Sequence, residues 1–507
     1  MRKLKVLALA ATTLVTLRCA LYSDVVISPL KLLPTQIHRG STMIDMVEKG
    51  DFLRAVALGR SLNPRTISVK DLAALGEAEV AMGRLDDARL HLRRAFDLKP
   101  AYPLAASIAW DLSQVEYLAN NHDASLEWAR EANSRGLYIK QWHLDFLQSL
   151  ATTKVYRISG ARSVRLPMNC RNPVIPRIDV SINGLTTAAV IDSGATLSIV
   201  SESEARRISL TPLGDFKGTF FGLLGEPIAV RFGLVERIAI GEMEIRNVPV
   251  AIMTDDQMRF FVAGKRSFQI NFLIGANFLK EFRLELDYAN EEARLTHLLA
   301  SDRIARSDQN LFMLGFRPFV HAAIDKRGWY LFVLDTGSEV TFLNEAELGA
   351  AAVRFKPRIH SAMLQGLGGA KKRGASAEDV RIGVDRWSGQ FRTLPLYSSE
   401  RTRALGILGQ NFLKNFKVTI DFGSMRLELK RDRGPFSHNG DTPFPLPLQQ
   451  THPRAEHALR GDPFRIGERY ESVIPSLCVW VGGARDLASF TQFGKRQRST
   501  VLLGLAA

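Results

Sequence analysis

One short arrangement occurs twice in this chain, and it constrains the fold more than any other feature. Val190-Ile191-Asp192-Ser193-Gly194-Ala195-Thr196 runs an apolar strand into a carboxylate, a hydroxyl and a glycine. Val333-Leu334-Asp335-Thr336-Gly337-Ser338-Glu339 repeats that grammar. Each copy is followed by a second matched segment, Leu273-Ile274-Gly275-Ala276-Asn277-Phe278 and Ile407-Leu408-Gly409-Gln410-Asn411-Phe412. A lone Asp-Ser-Gly is ordinary turn chemistry. Two motifs repeated in the same order are an internal duplication.

The correspondence extends on both sides of the aspartates. Ile178–Ile182 alternates, Asn183-Gly184 is a hairpin turn, and Thr187–Ile191 delivers Asp192. In the second copy Val320–Ile324 alternates, Asp325–Gly328 turns, and Trp329–Leu334 delivers Asp335. Downstream, Glu202–Arg207 matches Asn344–Leu348, and Gly222-Leu223-Leu224-Gly225 matches Gly366-Leu367-Gly368-Gly369. Arg283–Asp287 and Lys417–Asp421 close the copies as strands leading into turns. The spacing predicts two all-β lobes, at 160–300 and 305–430.

These residues resemble the aspartic peptidases, and more specifically the retroviral-type (retropepsin-like) fold found in bacterial proteins, over Leu166–Leu429. Having two lobes in one chain looks pepsin-like, while the local motifs look retropepsin-like. The resemblance implies an acid-protease-like domain in which the two D-[ST]-G loops meet at a twofold axis. Asp192 and Asp335 are then the catalytic pair. Two neighbouring carboxyls cannot both ionise easily, so one keeps a proton and polarises the peptide carbonyl while the other activates a water. Gly194 and Gly337 let the backbone approach the carboxyls, and Ser193 and Thr336 are expected to bond across to the opposite loop. Ser338, opposite Ala195 in the other copy, is expected to donate to the outer oxygen of Asp335 and ease its ionisation. The Gly-rich turns at Gly222/Gly225 and Gly366/Gly369 are either flaps that close over an extended peptide or ordinary hairpin turns.

Before the lobes, residues 35–150 are rich in Ala, Leu and Glu at helical spacing. Gly76, Gly83-Arg84-Leu85-Asp86-Asp87-Ala88, Leu92, Ala95 and Pro100 resemble a tetratricopeptide repeat, with flanking copies at Lys49–Ala55 and Asn120–Trp128. Such a stack implies either a concave surface for a peptide or protein partner, or a spacer or lid on the next domain.

The chain's net charge of +15 is scattered through every segment, so nucleic-acid binding is not expected. Arg2, Lys3 and Lys5 followed by an apolar run from Val6 to Leu17 read as an export segment over 1–23. Cleavage, lipidation at Cys19 and an uncleaved membrane anchor all stay open, and the expected location is periplasmic or membrane-associated in a bacterium. Cys170 and Cys478 are expected to be unpaired thiols. Residues 431–507 read as a largely disordered tail. No phosphate loop, paired His-Glu metal signature or Gly-x-Ser-x-Gly elbow is present, so no cofactor or metal is expected.

The reading that unites these features is an exported, cofactor-free aspartic-type endopeptidase whose helical repeats recruit its protein or peptide substrate or a partner. A catalytically silent peptide-binding scaffold, and a dimer in which lobes pair between chains, are the alternatives.

Overall fold

The computed structural model describes residues 25–29, 42–431 and 479–481, apart from gaps at 172, 263–265, 305, 326–327, 350–357, 370 and 400–401. The export segment with Cys19, and the tail beyond Arg431 except 479–481, lie outside the described residues.

Among the described residues seven helices precede the lobes: α1 (Met43–Glu48), α2 (Phe52–Ser61), α3 (Val69–Ala81), α4 (Leu85–Asp97), α5 (Leu104–Leu118), α6 (His122–Ser134) and α7 (Gln141–Leu150). Thr42 and Ser68 cap α1 and α3 through their side-chain oxygens. The three turns that join α1 to α2, α3 to α4 and α5 to α6 are built alike. Each carries a left-handed residue: Gly50 (φ +77°), Gly83 (φ +68°) and Asn120 (φ +63°). In each, the next amide reaches back to the preceding helix: Asp51 to the Met46 carbonyl (2.7 Å), Arg84 to Glu79 (2.8 Å) and Asn121 to Glu116 (2.8 Å). Asparagine tolerates the left-handed conformation, which is why the third copy forms the turn without a glycine.

Each lobe then builds one sheet around the same three-strand element. In the first lobe, Phe272–Ile274 lies parallel to Leu185–Ile191 and antiparallel to Ser198–Ser201. In the second, Gly406–Leu408 lies parallel to Trp329–Leu334 and antiparallel to Phe342–Asn344. The inserted strand pins the aspartate that follows its neighbour: the Asp192 amide donates to the Ile274 carbonyl (3.0 Å), and the Asp335 amide to Leu408 (3.1 Å). The Gly-rich turns are the tips of hairpins formed by Gly218–Phe221 with Pro227–Ile240, and by Arg358–Gln365 with Lys371–Val384.

The lobes are joined by a five-stranded sheet to which both contribute. Its centre is Phe282–Asp287 paired antiparallel with Lys417–Asp421, and Glu285 stands opposite Thr419. These residues occupy equivalent positions eight beyond Asn277 and Asn411, so the pseudo-twofold axis passes between them. Two additions come from outside the duplication. Val25–Pro29 pairs with the strand Trp387–Tyr397 of the second lobe, and Val479–Val481 pairs with the outer edge of Arg358–Gln365. That second strand falls within the segment expected to be tail.

The helical layer bridges both lobes through its turns. The Gly50 carbonyl lies 2.9 Å from His321 Nε2 in the second lobe. The Met82 carbonyl accepts from Gln309 Nε2 in the connector between the lobes (3.1 Å). The Leu118 carbonyl (3.2 Å) and Asn120 Oδ1 (2.6 Å) accept from Lys280 Nζ in the first lobe. At the far end Trp142 of α7 stacks on Phe232, with ring centroids 5.8 Å apart.

The first turn gives a direct test of this docking. Gly50 and Gly184 both have positive φ, +77° and +88°, but a Cβ on Gly50 falls 2.6 Å from Leu331 whereas one on Gly184 meets nothing within 4 Å. Gly184→Ala is expected to lower stability by about 1–2 kcal/mol through backbone strain alone. Gly50→Ala should lose a further ~1–3 kcal/mol from overpacking, read as a lower denaturant midpoint. Equal losses for the two variants would show that the turn is not held against the lobe.

Candidate active site

The two D-[ST]-G loops meet within a single chain, and their hydroxyls hold them together. Ser193 Oγ accepts the Thr336 amide (3.1 Å) and donates to the Leu334 carbonyl (2.7 Å). Thr336 Oγ1 accepts the Ser193 amide (3.0 Å) and donates to the Ile191 carbonyl (2.7 Å). All four bonds cross between the lobes. Each hydroxyl, fully buried, uses its one proton and one acceptor site on the opposite backbone.

This exchange brings the carboxyls face to face. A Cβ placed on Gly194 would lie 2.4 Å from Asp335 Cγ, and one on Gly337 would lie 2.3 Å from Asp192 Cγ. No side chain fits there, so glycine is required by the approach of the opposite carboxyl. Both aspartates are fully buried. Asp192 Oδ1 accepts the amides of Gly194 (2.9 Å) and Ala195 (3.1 Å), and Asp335 Oδ1 accepts that of Gly337 (2.9 Å). Burial raises the Asp192 pKa well above the usual carboxylate range, and the neighbouring Asp335 charge and hydrogen bond raise it further against the pull of those amides. The arrangement is chemically able to share a proton between two carboxyls and to present the remaining charge to a water or carbonyl.

One expectation is corrected. The Ser338 hydroxyl donates to the Val340 carbonyl at 2.7 Å, two residues along its own chain. Its only proton is therefore not available to the outer oxygen of Asp335. A short local side-chain-to-backbone bond has won over the longer reach to the carboxyl.

Sequence reasoning missed a second pair of polar locks beneath the loops. Asn277 Oδ1 accepts the Ser198 amide (2.7 Å) and hydroxyl (3.0 Å), while Ser198 Oγ accepts the Gly275 amide (3.0 Å). In the other lobe Asn411 Oδ1 accepts the Thr341 amide (2.8 Å) and hydroxyl (2.7 Å), and Thr341 Oγ1 accepts the Gly409 amide (3.1 Å). The signal was present: a hydroxyl stands six residues after each aspartate, and an asparagine two after each later glycine.

The Gly-rich hairpins, for which flap and plain turn were both open, converge across the lobes. Gly366 faces Leu223, and a Cβ on Gly368 would touch Ile228 at 2.7 Å. Leu223 shares an apolar cluster with Val340 and Phe342 of the second lobe, and Leu367 one with Ala195 and Leu197 of the first. Each tip thus joins an apolar cluster that includes residues following the opposite aspartate.

Thr336→Val should lower stability by about 2–4 kcal/mol, because it strands the buried Ser193 amide as well as removing a donor. Combining it with Ser193→Ala should lose less than the sum of the single changes. Additive losses in a double-mutant cycle would mean that the two hydroxyls do not act as one lock. In any assay of turnover, Ser338→Ala is expected to leave the acid limb of the pH–rate profile in place.

Comparison with known proteins places these observations. Residues 178–281 match the family model of the gag-polyprotein putative aspartyl protease, and residues 315–421 match that of the retroviral aspartyl protease. A solved structure, a retropepsin-like aspartic protease from Rickettsia conorii, aligns at 12% identity over 29% of this chain and 97% of its own, with a TM-score of 0.19. No curated protein matches the sequence. Each family match contains one of the two D-[ST]-G loops and its inserted strand, so both lobes are aspartyl-protease-like domains behind a helical N-terminal region.

Proposed function

We propose that this chain is an aspartic-type endopeptidase that hydrolyses peptide bonds with a water activated between Asp192 and Asp335. The observation that carries this reading is the crossed exchange between Ser193 and Thr336, which holds two buried carboxyls against each other's glycine. In the proposed reaction the ionised member takes a proton from water, and the protonated member hydrogen-bonds the peptide carbonyl. The tetrahedral intermediate then collapses as a proton passes to the leaving amine. The pair titrates as a unit, so neither aspartate holds one role permanently. The loops come from the same chain, which favours an intramolecular site over pairing between chains.

The helical region is proposed to be tetratricopeptide-like, supported by the three equivalent left-handed turns and by the close packing of Gly76 on Leu92. Its turns lie on the lobes, so a recruited peptide or partner protein would use the surfaces turned away from them. The basic residues and apolar run before residue 23 support export to a periplasmic or membrane-attached location.

Purified protein without residues 1–23 should cut an unfolded protein substrate, and Asp192→Asn and Asp335→Asn should each lower the rate by about 10²–10⁴-fold. Mixing the two variants should restore nothing, because both carboxyls of a site belong to one chain. Residual cutting by either variant at the native rate, or an inert native protein, overturns the dyad reading in favour of a silent scaffold. The pair also leaves a mark on stability. Above pH 3.8 an unfolded Asp192 releases its proton while the folded one retains it. The folded state then binds more protons, so stability falls as pH rises through this window toward the raised folded pKa. Asp192→Asn should flatten that slope in unfolding measurements.

A further inference from the structure

The tip of the first hairpin carries a carboxylate that the dyad does not use. Glu226 closes the turn begun at Gly222, whose amide donates to the Glu226 carbonyl (2.9 Å). Its side chain folds back between the two tips. Oε1 lies 2.2 Å from where a Cβ on Gly222 would stand, and 3.4 Å and 3.8 Å from the corresponding points on Gly368 and Gly366 of the opposite hairpin. Both carboxyl oxygens are shielded from solvent, and among the described residues no side chain pairs with either. Burial raises the pKa of this group, with only the amides of Glu226 and Leu224 acting against it.

Among the described residues the side chains around it are apolar, and the second tip is fixed. Leu223 and Ile228 flank the carboxyl, and the second tip is tied down by the Gly368 amide to the Gln257 carbonyl (2.9 Å) and Gln365 Nε2 to Arg259 (3.0 Å). At the equivalent place in the duplicated sequence, Gly366-Leu367-Gly368-Gly369 is followed by Ala370. The Glu226 carboxylate therefore has no counterpart at the matching position of the second copy. An unpaired carboxyl shielded from water is stabilised strongly by a cation that brings its own N–H donors.

We propose that Glu226 is a specificity-determining residue that receives a Lys or Arg side chain from an extended peptide lying beneath the hairpin tips. Because only one tip bears the carboxylate, the basic side chain occupies one fixed position relative to the bond cut, on one side of it. This inference rests on the dyad reading above for the orientation of the peptide, and its test separates the two.

The full chain carrying Asp192→Asn is titrated with matched fluorescent peptides that differ only in Lys or norleucine at successive positions. At one position Lys should bind about tenfold more tightly than norleucine, a difference of about 1.4 kcal/mol. Adding Glu226→Gln should shrink the ratio to below about threefold. In the native protein, fragments of a digested unfolded substrate should show Lys or Arg at a constant offset from the cut, and Glu226→Gln should abolish that enrichment while neutral peptides are still cut. Equal binding of Lys and norleucine peptides at every position overturns the inference. So does a Lys preference that survives Glu226→Gln. If Asp192→Asn retains full cutting, the dyad reading fails instead, whatever the binding ratio. Equal binding of Lys and norleucine peptides would overturn the inference without any Glu226 variant, and should Glu226→Gln fold poorly, Glu226→Ala is expected to remove the Lys preference in the same titration.

Discussion

Everything at the centre of this protein depends on four hydrogen bonds between two loops. Ser193 and Thr336 each take the other's amide and give their proton to the carbonyl before the other's aspartate. Because all four are buried, breaking one leaves a peptide group without a partner, which costs more than an ordinary hydrogen bond contributes. The lobes are thereby fixed in the register that sets the carboxyls against each other. The raised pKa of Asp192 is a consequence of that register, not an independent property. Desolvation and the Asp335 charge both act on it because the loops allow no other spacing.

That register is supported from below by parts that repeat. In each lobe an inserted strand binds the aspartate's amide, and an asparagine–hydroxyl–glycine lock holds the strand in place. Further down, Glu285 and Thr419 stand opposite each other in the shared sheet. The symmetry therefore runs through the molecule from the joining sheet to the carboxyls. A displacement of one lobe would strain several buried polar contacts at once, and such networks rigidify when fully satisfied.

Much of this was legible in the residues. Paired motifs in a fixed order predict two equivalent lobes, and the glycine beside each aspartate is legible as the residue that lets backbone and carboxyl approach closely. The turns at Gly50 and Gly83 were visible as glycines, and the one at Asn120 was weaker only because asparagine does the same work less conspicuously. Other features were hidden because they depend on contacts distant in sequence. Nothing in the Lys280-Glu281 dipeptide announces that the α5–α6 turn would dock there, since that contact spans about 160 residues. Ser338 failed for the opposite reason. The loop's sequence points its hydroxyl at Asp335, while its proton goes to a carbonyl two residues away. The pairing of Val25–Pro29 with the second lobe could not be read from so short an apolar run.

The differences between the lobes follow from joining them in one chain. Two identical halves must satisfy one sequence twice, but fused halves are free to diverge wherever their surroundings differ. Lys280 and Glu281 form a buried ion pair that holds Asn120 of the helical layer. Among the described residues their counterparts, Lys414 and Asn415, meet no such turn, and Asn415 instead donates to the Asn411 and Phe412 carbonyls of its own short helix. Ala276 corresponds to Gln410, whose amide donates to the Thr336 carbonyl. Glu226 corresponds to Ala370. The loops that carry the aspartates keep their crossed bonds, whereas the shell around them has changed according to what each side touches. A symmetric pair of carboxyls has no means of telling one end of a peptide from the other. In the proposed peptidase the asymmetric shell would supply it, which makes the unmatched residues, and not the duplicated ones, the place for selectivity toward a substrate's direction.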